Sequence, residues 1–330
     1  MDKRYKLNKQ KCSICGKTVK KILTKSKEFN NYDFIKTEQG DVICKDCERK
    51  YHIISDHQYR GYGYKYSTEP RFTAMDRQST LTFGVEIEVA GNIKNIQKID
   101  SIAGIECSIG YDTSVEGAMF ELSYAPGTYY WYLYESKLQA ICSLLQKDPW
   151  TKDSDTIGTH IHVGNIDARL VRGYLQIEDE QNPLFWRIIR IIAERYLNEY
   201  CSPRFSKSHH DAISYSRWGT LEFRFFKGTY DFNKIMNRMK FLKQLVENAS
   251  ADGVNWKNFK KETKNWMITI AKNNKNLSED DIKVIERTLK GETIILPLSE
   301  EVKKKIINKS INSDYDDEED EDQDEEREDW

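Results

Sequence analysis

No run of about 18 uninterrupted apolar residues occurs in this 330-residue chain, which excludes a membrane-spanning helix. Proline and glycine are scarce, at 6 and 17 residues, which excludes a collagenous or Pro/Gly-rich disordered chain. The opening MDKRYKLNKQKC carries charge but lacks an apolar segment. No secretory signal is therefore expected, and a reducing, cytoplasmic compartment is. Cys107, Cys142 and Cys201 have no evident partnering base in sequence, so they are expected to be core or surface thiols rather than nucleophiles. What is present, 38% hydrophobic and 12% aromatic residues, suffices for one sizeable core and a smaller module.

The net charge of −2 conceals a split. Residues 314–330 hold thirteen Asp/Glu and one Arg, a local charge of −12, which leaves residues 1–313 at +10. So dense a block of like charge repels itself and forms no core, so a disordered acidic tail is expected over 313–330. Either it is a solvated solubility tail, or it lies over a basic groove and competes with anionic ligands.

Two C-x2-C pairs, Cys12-Ser-Ile-Cys15 and Cys44-Lys-Asp-Cys47, have the spacing of tetrahedral zinc. Each tight loop supplies two thiolates, and four fill the metal, so this zinc is expected to be structural. The 1–55 segment is too short to bury much core, and the metal would supply the missing folding energy. Fourteen Lys/Arg against seven Asp/Glu in residues 1–50 leave nucleic-acid binding, protein docking and a purely structural knob all open for this ribbon. In the linker 56–80, Tyr59, Tyr62, Tyr64 and Tyr66 alternate with Gly, Arg and Lys. They suit either stacking on bases or packing against the modules that the linker joins.

From residue 81 a period-two pattern appears. In Leu81–Val89, Phe83, Val85, Ile87 and Val89 oppose Glu86 and Glu88. Phe120 and Leu122 oppose Glu121 and Ser123; Ile161 and Val163 oppose His160 and His162; Leu221, Phe223 and Phe225 oppose Glu222 and Arg224. An ordinary half-exposed antiparallel sheet would give one such strand. Four strands bearing E-x-E, H-x-H and E-x-R instead favour a shared polar face that binds cations and phosphates. Alternate strand residues lie about 7 Å apart, and paired hard cations stand about 3.5–4 Å apart. Carboxylates suit magnesium, and an arginine forks onto a phosphate. Helices are predicted over 128–147, from Pro183 through 200 with an apolar stripe of Ile188, Ile191, Ile192 and Tyr196, after the N-cap Asp231, and between Ser278 and Gly291. The segment 251–312 reads as a helical extension without a chemical motif.

FGVEIEV, then D-x-S with a downstream E-L-S, then G-x-H-I-H-V-G, then T-L-E-F-R-F-F-K-G-T, in that order, resemble the amidoligase family. These carboxylate–amine ligases are related to glutamine synthetase and glutamate–cysteine ligase. The likeness spans about residues 81–248, half the chain. The YKY…EPRF segment behind a four-cysteine ribbon is similar to phage-type members, for which the host cytoplasm would be the setting. The resemblance implies an α+β fold over 81–250: a curved antiparallel sheet with helices on one face, like the catalytic domain of glutamine synthetase. The polar face would bind Mg²⁺ and ATP. It implies that Glu86, Glu88, Glu121, Glu222 and His160 hold magnesium, that His162 contacts the nucleotide and that Arg224 stabilises the transferred phosphoryl group. Asp112 and Ser114 match D-x-S, and Asp112 would orient or deprotonate the amine. Arg195 and Asn198 match an R-x-x-N pattern on a helix, with Arg195 toward substrate or phosphate. Glu121-Leu-Ser-Tyr-Ala-Pro126 departs from the family's E-I-x-S-P, and Thr159 stands where glycine is more usual. The implied reaction joins a carboxylate and an amine, on a peptide or protein among other carriers, through an acyl phosphate. A cupin-like metal enzyme and a non-enzymatic zinc-ribbon adaptor are the rival readings.

Overall fold

The computed structural model describes residues 9–20, 34–36, 42–47, 71, 81–90, 95–110, 118–148, 157–175, 182–195, 197, 201–203, 211–216, 219–275, 277–292 and 294. The linker tyrosines, Asp112, Ser114, Tyr196, Asn198 and the acidic tail lie outside them, so the readings made for those residues stay as expectations.

The N-terminal part is two small hairpins. β1 (Lys9–Lys11) pairs antiparallel with β2 (Thr18–Lys20), and β3 (Phe34–Lys36) pairs with β4 (Val42–Cys44). Gly16, at φ +70°, closes the first cysteine loop, and its N–H donates to Cys12 O at 2.9 Å. The hairpins join where Ser13 N donates to Val42 O (2.7 Å) and Cys44 N to Cys12 Sγ (3.3 Å).

The main body is a six-stranded antiparallel sheet with helices packed against it, a mixed α+β architecture. In chain order its elements are β5 (Thr82–Ala90), α1 (Ile96–Ala103), β6 (Cys107–Gly110), β7 (Ala118–Thr128), α2 (Tyr129–Leu133), α3 (Ser136–Lys147), β8 (Gly158–Gly164), α4 (Ala168–Leu175), α5 (Pro183–Ile192), β9 (Ile213–Tyr215), β10 (Leu221–Lys227) and α6 (Phe232–Glu247). A short pair, β11 (Ala249–Ser250) and β12 (Gly253–Val254), leads to α7 (Lys261–Asn273) and α8 (Glu279–Lys290). The strand order is β6-β7-β5-β8-β10-β9. Phe83, Val85, Ile87, Val89, Ile161, Val163 and Phe223 are buried in one cluster with Ile235, Met239 and Leu242 of α6. Each fully buried side chain of this size contributes about 1.5–3 kcal/mol. A one-residue slip would turn these residues out and the glutamates in, so the pattern itself pins the register.

Several expectations need correction. The helix read over 128–147 is two. β7 continues to Thr128, whose side chain accepts Trp131 N (3.2 Å) and starts α2; Glu135 then caps α3 by accepting Lys137 N (2.9 Å). The helix from Pro183 stops at Ile192 rather than 200, because Glu194 takes φ +59° and no right-handed helix passes through it. Arg195 is therefore not on a helix. β10 also breaks simple alternation. Phe223 faces Ile161 but Phe226 faces Thr159, so β10 spends one residue more than β8 in a bulge, and Phe225 and Phe226 are both buried.

The capping expectations hold. Asp231 accepts Asn233 N and Lys234 N at the start of α6. Ser278 and Asp281 form a capping box on α8, and Gly291, at φ +80°, ends it. α7 packs against α5, α6 and α8. Gln244 of α6 ties this extension down by donating to Thr263 Oγ1 at 2.6 Å and accepting Lys260 N at 2.5 Å.

Candidate functional site

Register places the polar side chains in rows. Glu86 stands opposite His160 across β5–β8 and opposite Ser123 across β5–β7. Glu88 faces Glu121 across β5–β7. Glu222 faces His162 across β10–β8 and Ser214 across β10–β9. The residues predicted to share one face therefore share it, and the face is not a solvated exterior. Side-chain exposure is 18% or less for Glu86, Glu88, His160, His162, Glu222 and Arg224.

His160 is the hub. Its Nδ1 lies 3.5 Å from Glu86 Oε2 and 3.6 Å from Glu222 Oε1, and its Nε2 lies 3.3 Å from Glu88 Oε1. His162 Nε2 lies 3.5 Å from Glu86 Oε1 and 4.0 Å from Glu222 Oε1. Ligand atoms of Glu86, His160 and Glu222 all lie within 4.8 Å of one another, as do those of Glu88, Glu121 and His160. Either trio could hold a metal ion. Arg224 NH1 donates to Glu222 Oε1 (2.6 Å), and Ser214 Oγ donates to the carboxylate's other oxygen (3.0 Å). Glu88 Oε2 accepts Gly158 N. Ser123 Oγ donates to Glu121 Oε1 at 3.2 Å.

The electrostatics follow from crowding charges out of water. Burial works to raise the Glu86 carboxyl, but the charges of His162 and His160 outweigh it and hold it well below the ordinary carboxylate range. Burial opposes the His162 imidazolium, yet Glu86 and then Glu222 raise it to about 9. Glu222 is likewise lowered, burial being outweighed by His162 and Arg224. Burial pushes Cys142 and Cys201 up to about 12, which keeps both protonated as packing thiols.

Arg195 joins the cluster from the loop after α5. Gly158 shares the parity of His160 and His162, and a Cβ on it would stand 2.8 Å from His160 Nε2 and 3.3 Å from Arg195 NH1. That glycine leaves the space in which imidazole and guanidinium meet. Thr159, the departure from the family pattern, has the opposite parity, and its hydroxyl accepts Thr229 N at 3.1 Å. Asp112, Ser114 and Asn198 have no described place, so the structure neither joins them to the cluster nor separates them from it.

Sequence reading missed three supports. Thr220 Oγ1 lies 3.0 Å from His162 Nδ1 and 2.6 Å from Ser216 Oγ, which orients the ring. The parity of Thr220 with Glu222 was the available signal. Ser214 is known only through strand pairing. Gly158, in phase with H-x-H, was readable as a gap.

In the ribbon, the four sulfurs of Cys12, Cys15, Cys44 and Cys47 lie within 4.8 Å of one another, with Cys15 and Cys44 at 3.6 Å. Tetrahedral zinc with Zn–S near 2.3 Å separates sulfurs by about 3.8 Å, so the four could hold a zinc ion. Burial works to raise the Cys12 thiol, but backbone N–H groups of Cys44, Cys15 and Ile14 outweigh it and bring it to about 7. No helix among the described residues is long and apolar enough to cross a membrane. Compared with family models, curated proteins and solved structures, the chain has no match.

Proposed function

We propose that this chain is an ATP-dependent carboxylate–amine ligase of the amidoligase type, with a glutamine-synthetase-like catalytic sheet and a structural zinc ribbon. One observation carries the reading. His160 Nδ1 and His162 Nε2 are buried, have no hydrogen-bond partner among the described residues, and face the oxygens of Glu86 and Glu222 at 3.5–4.0 Å. That spacing is long for a hydrogen bond, and a cation held among these nitrogens and oxygens would supply the partner that the nitrogens lack. The charge count agrees: the four carboxylates outnumber the guanidinium groups of Arg224 and Arg195 and the His162 imidazolium that Glu86 and Glu222 favour, which leaves room for further positive charge.

Glu86, His160 and Glu222 would hold one magnesium, and Glu88 with Glu121 would serve a second, His160 having a single lone pair to give to one of them. When bound, magnesium supplies charge neutralisation and orientation for the phosphate oxygens of ATP. Arg224, fixed by Glu222 and with its buried Nε unpartnered among the described residues, is placed to donate to the transferred phosphoryl group. Thr220 holds His162 so that its Nε2 points to the nucleotide side. The near-complete burial of His160 and Glu88 keeps water from the reacting groups. The γ-phosphoryl group passes to a carboxylate to give an acyl phosphate, and an amine then displaces phosphate to form the amide. The ordered motifs of residues 81–248 support this chemistry over other uses of such a metal-binding face.

The test is ADP release with Mg²⁺ against a panel of carboxylates and amines, with mass spectrometry of the products. Glu86→Gln and Glu222→Gln should each abolish amide formation while the circular-dichroism spectrum is kept. Turnover retained in both variants would sink the proposal. The mixed imidazole–carboxylate set also suits a first-row transition metal. That cupin-like reading gains if metal analysis finds such an ion bound tightly in the main body without ATP binding. A tight macromolecular partner without any ATP hydrolysis would favour the adaptor.

A further inference from the structure

Glu194 follows α5 in the left-handed region at φ +59°, a conformation that glycine adopts freely and glutamate resists. Glycine is the usual residue just past a helix end. Here the chain uses glutamate and fastens its carboxylate to α6 twice. Lys234 Nζ donates to Oε1 at 3.1 Å and Arg238 NH2 to Oε2 at 3.2 Å. Arg238 is fully buried; it also donates to Lys227 O at 2.6 Å and lies over the Phe226 ring, 4.9 Å from its centroid. Lys227 N in turn donates to Ala193 O at 2.9 Å. The turn after α5 is thereby fastened to α6 and to the end of β10. Backbone strain persists where its surroundings over-determine it, and it gathers at functional positions.

What this turn delivers is Arg195. Its guanidinium stands beside His160 across the gap left by Gly158, reaches Ile157 O only at 3.5 Å, and has a buried Nε without a hydrogen-bond partner among the described residues. A buried guanidinium with donors to spare, next to a cluster that could hold cations, fits an anion. We infer that Glu194 is a positioning residue: clasped by Lys234 and Arg238, it holds Arg195 as the receptor for a phosphate group beside His160. The inference rests on the ligase reading for its ligand class. It differs from a merely structural account in what glycine should do. If Glu194 served the fold alone, glycine would relieve the strain and be tolerated.

The experiment titrates inorganic phosphate into full-length, zinc-loaded protein with magnesium present, by calorimetry, alongside thermal melts. Glu194→Gly and Arg195→Gln should each stay folded and lose about tenfold in phosphate affinity, the loss expected for one misplaced charge-assisted hydrogen bond. The double variant should bind no more weakly than Arg195→Gln alone. Glu194→Gln, which keeps the length but not the charge, should show a smaller loss. Wild-type affinity in folded Glu194→Gly, additive losses in the double variant, or no phosphate binding by the wild-type protein overturns the inference. If Glu194→Gly does not fold, Glu194→Gln decides alone, and wild-type affinity there is the overturning result. Phosphate binding with these losses, but without ADP release for any acid–amine pair, would sink the ligase reading and leave the clasp standing.

Discussion

The ribbon gathers four thiols where a cation could sit and the sheet gathers four carboxylates around His160, but they assemble them in opposite ways. In the ribbon, strands of three residues bring in the cysteines, and Cys12, Cys44 and Cys47 are themselves part of what is buried. The ligands are much of the core, so a zinc ion bound there would form together with the fold. In the sheet, Glu86, Glu88, Glu121 and Glu222 ride on long strands whose other face is packed by apolar residues and helices. The core sets these carboxylates in place by itself, so a cation bound there would be an addition to a finished fold. The two clusters thus differ in kind: in one the ligand side chains are themselves the core, in the other they stand on a core built without them.

Removing zinc gives the largest contrast. Structural zinc contributes on the order of 10–16 kcal/mol in small domains. Chelation, or Cys44→Ser, should abolish amide protection in β1–β4 while β5 and β8 keep theirs, read by hydrogen exchange. Protection that survives in β4 without zinc would erase the distinction. Next comes magnesium, which should raise the melting temperature without changing the fold; at a hundredfold excess over Kd the linkage is about 2.7 kcal/mol. Acidity sharpens this. Folding raises His162 from its ordinary 6.5 to about 9. Its contribution in magnesium-free protein is thus fully present below pH 6.5 and is lost as pH rises through about 9. Added cation replaces that proton, so the stabilisation by magnesium should grow across the same window. A shift that is flat from pH 6 to 10 would mean that His162 does not face the cation. The smallest effect calibrates the others: Ser278→Ala, remote from both places, should cost about 1 kcal/mol through loss of the α8 cap and leave both metal affinities unchanged.

Strand parity carried most of the site into view from sequence, because a period of two assigns faces without any knowledge of pairing. Glu86, His160 and Glu222 were legible for that reason, and so were the caps Asp231 and Ser278, whose chemistry is local. The cysteine spacing was legible because tetrahedral thiolate sites use short loops. What was hidden depends on partners far away in the chain. The break between α2 and α3 follows from Thr128 and Glu135 capping separate turns inside an apolar run. The end of α5 depends on Glu194, whose carboxylate is held by α6, some forty residues later. The support Ser214 is an ordinary hydroxyl until strand order is known.

The extra residue in β10 works as a change of reading frame. Up to Phe223 the strand is in phase with β8 and sends Glu222 toward His162; beyond it the phase is reset, so that Phe226 aligns with Thr159 and Lys227 with Gly158. Deleting one residue there would leave the beginning of the strand correct and invert its end. Phe226 would be driven out, and the carbonyl that Arg238 grips would be displaced. The charged face and the anchor beneath it are therefore set by one count of residues, and evolution can lengthen neighbouring loops far more freely than it can alter that count.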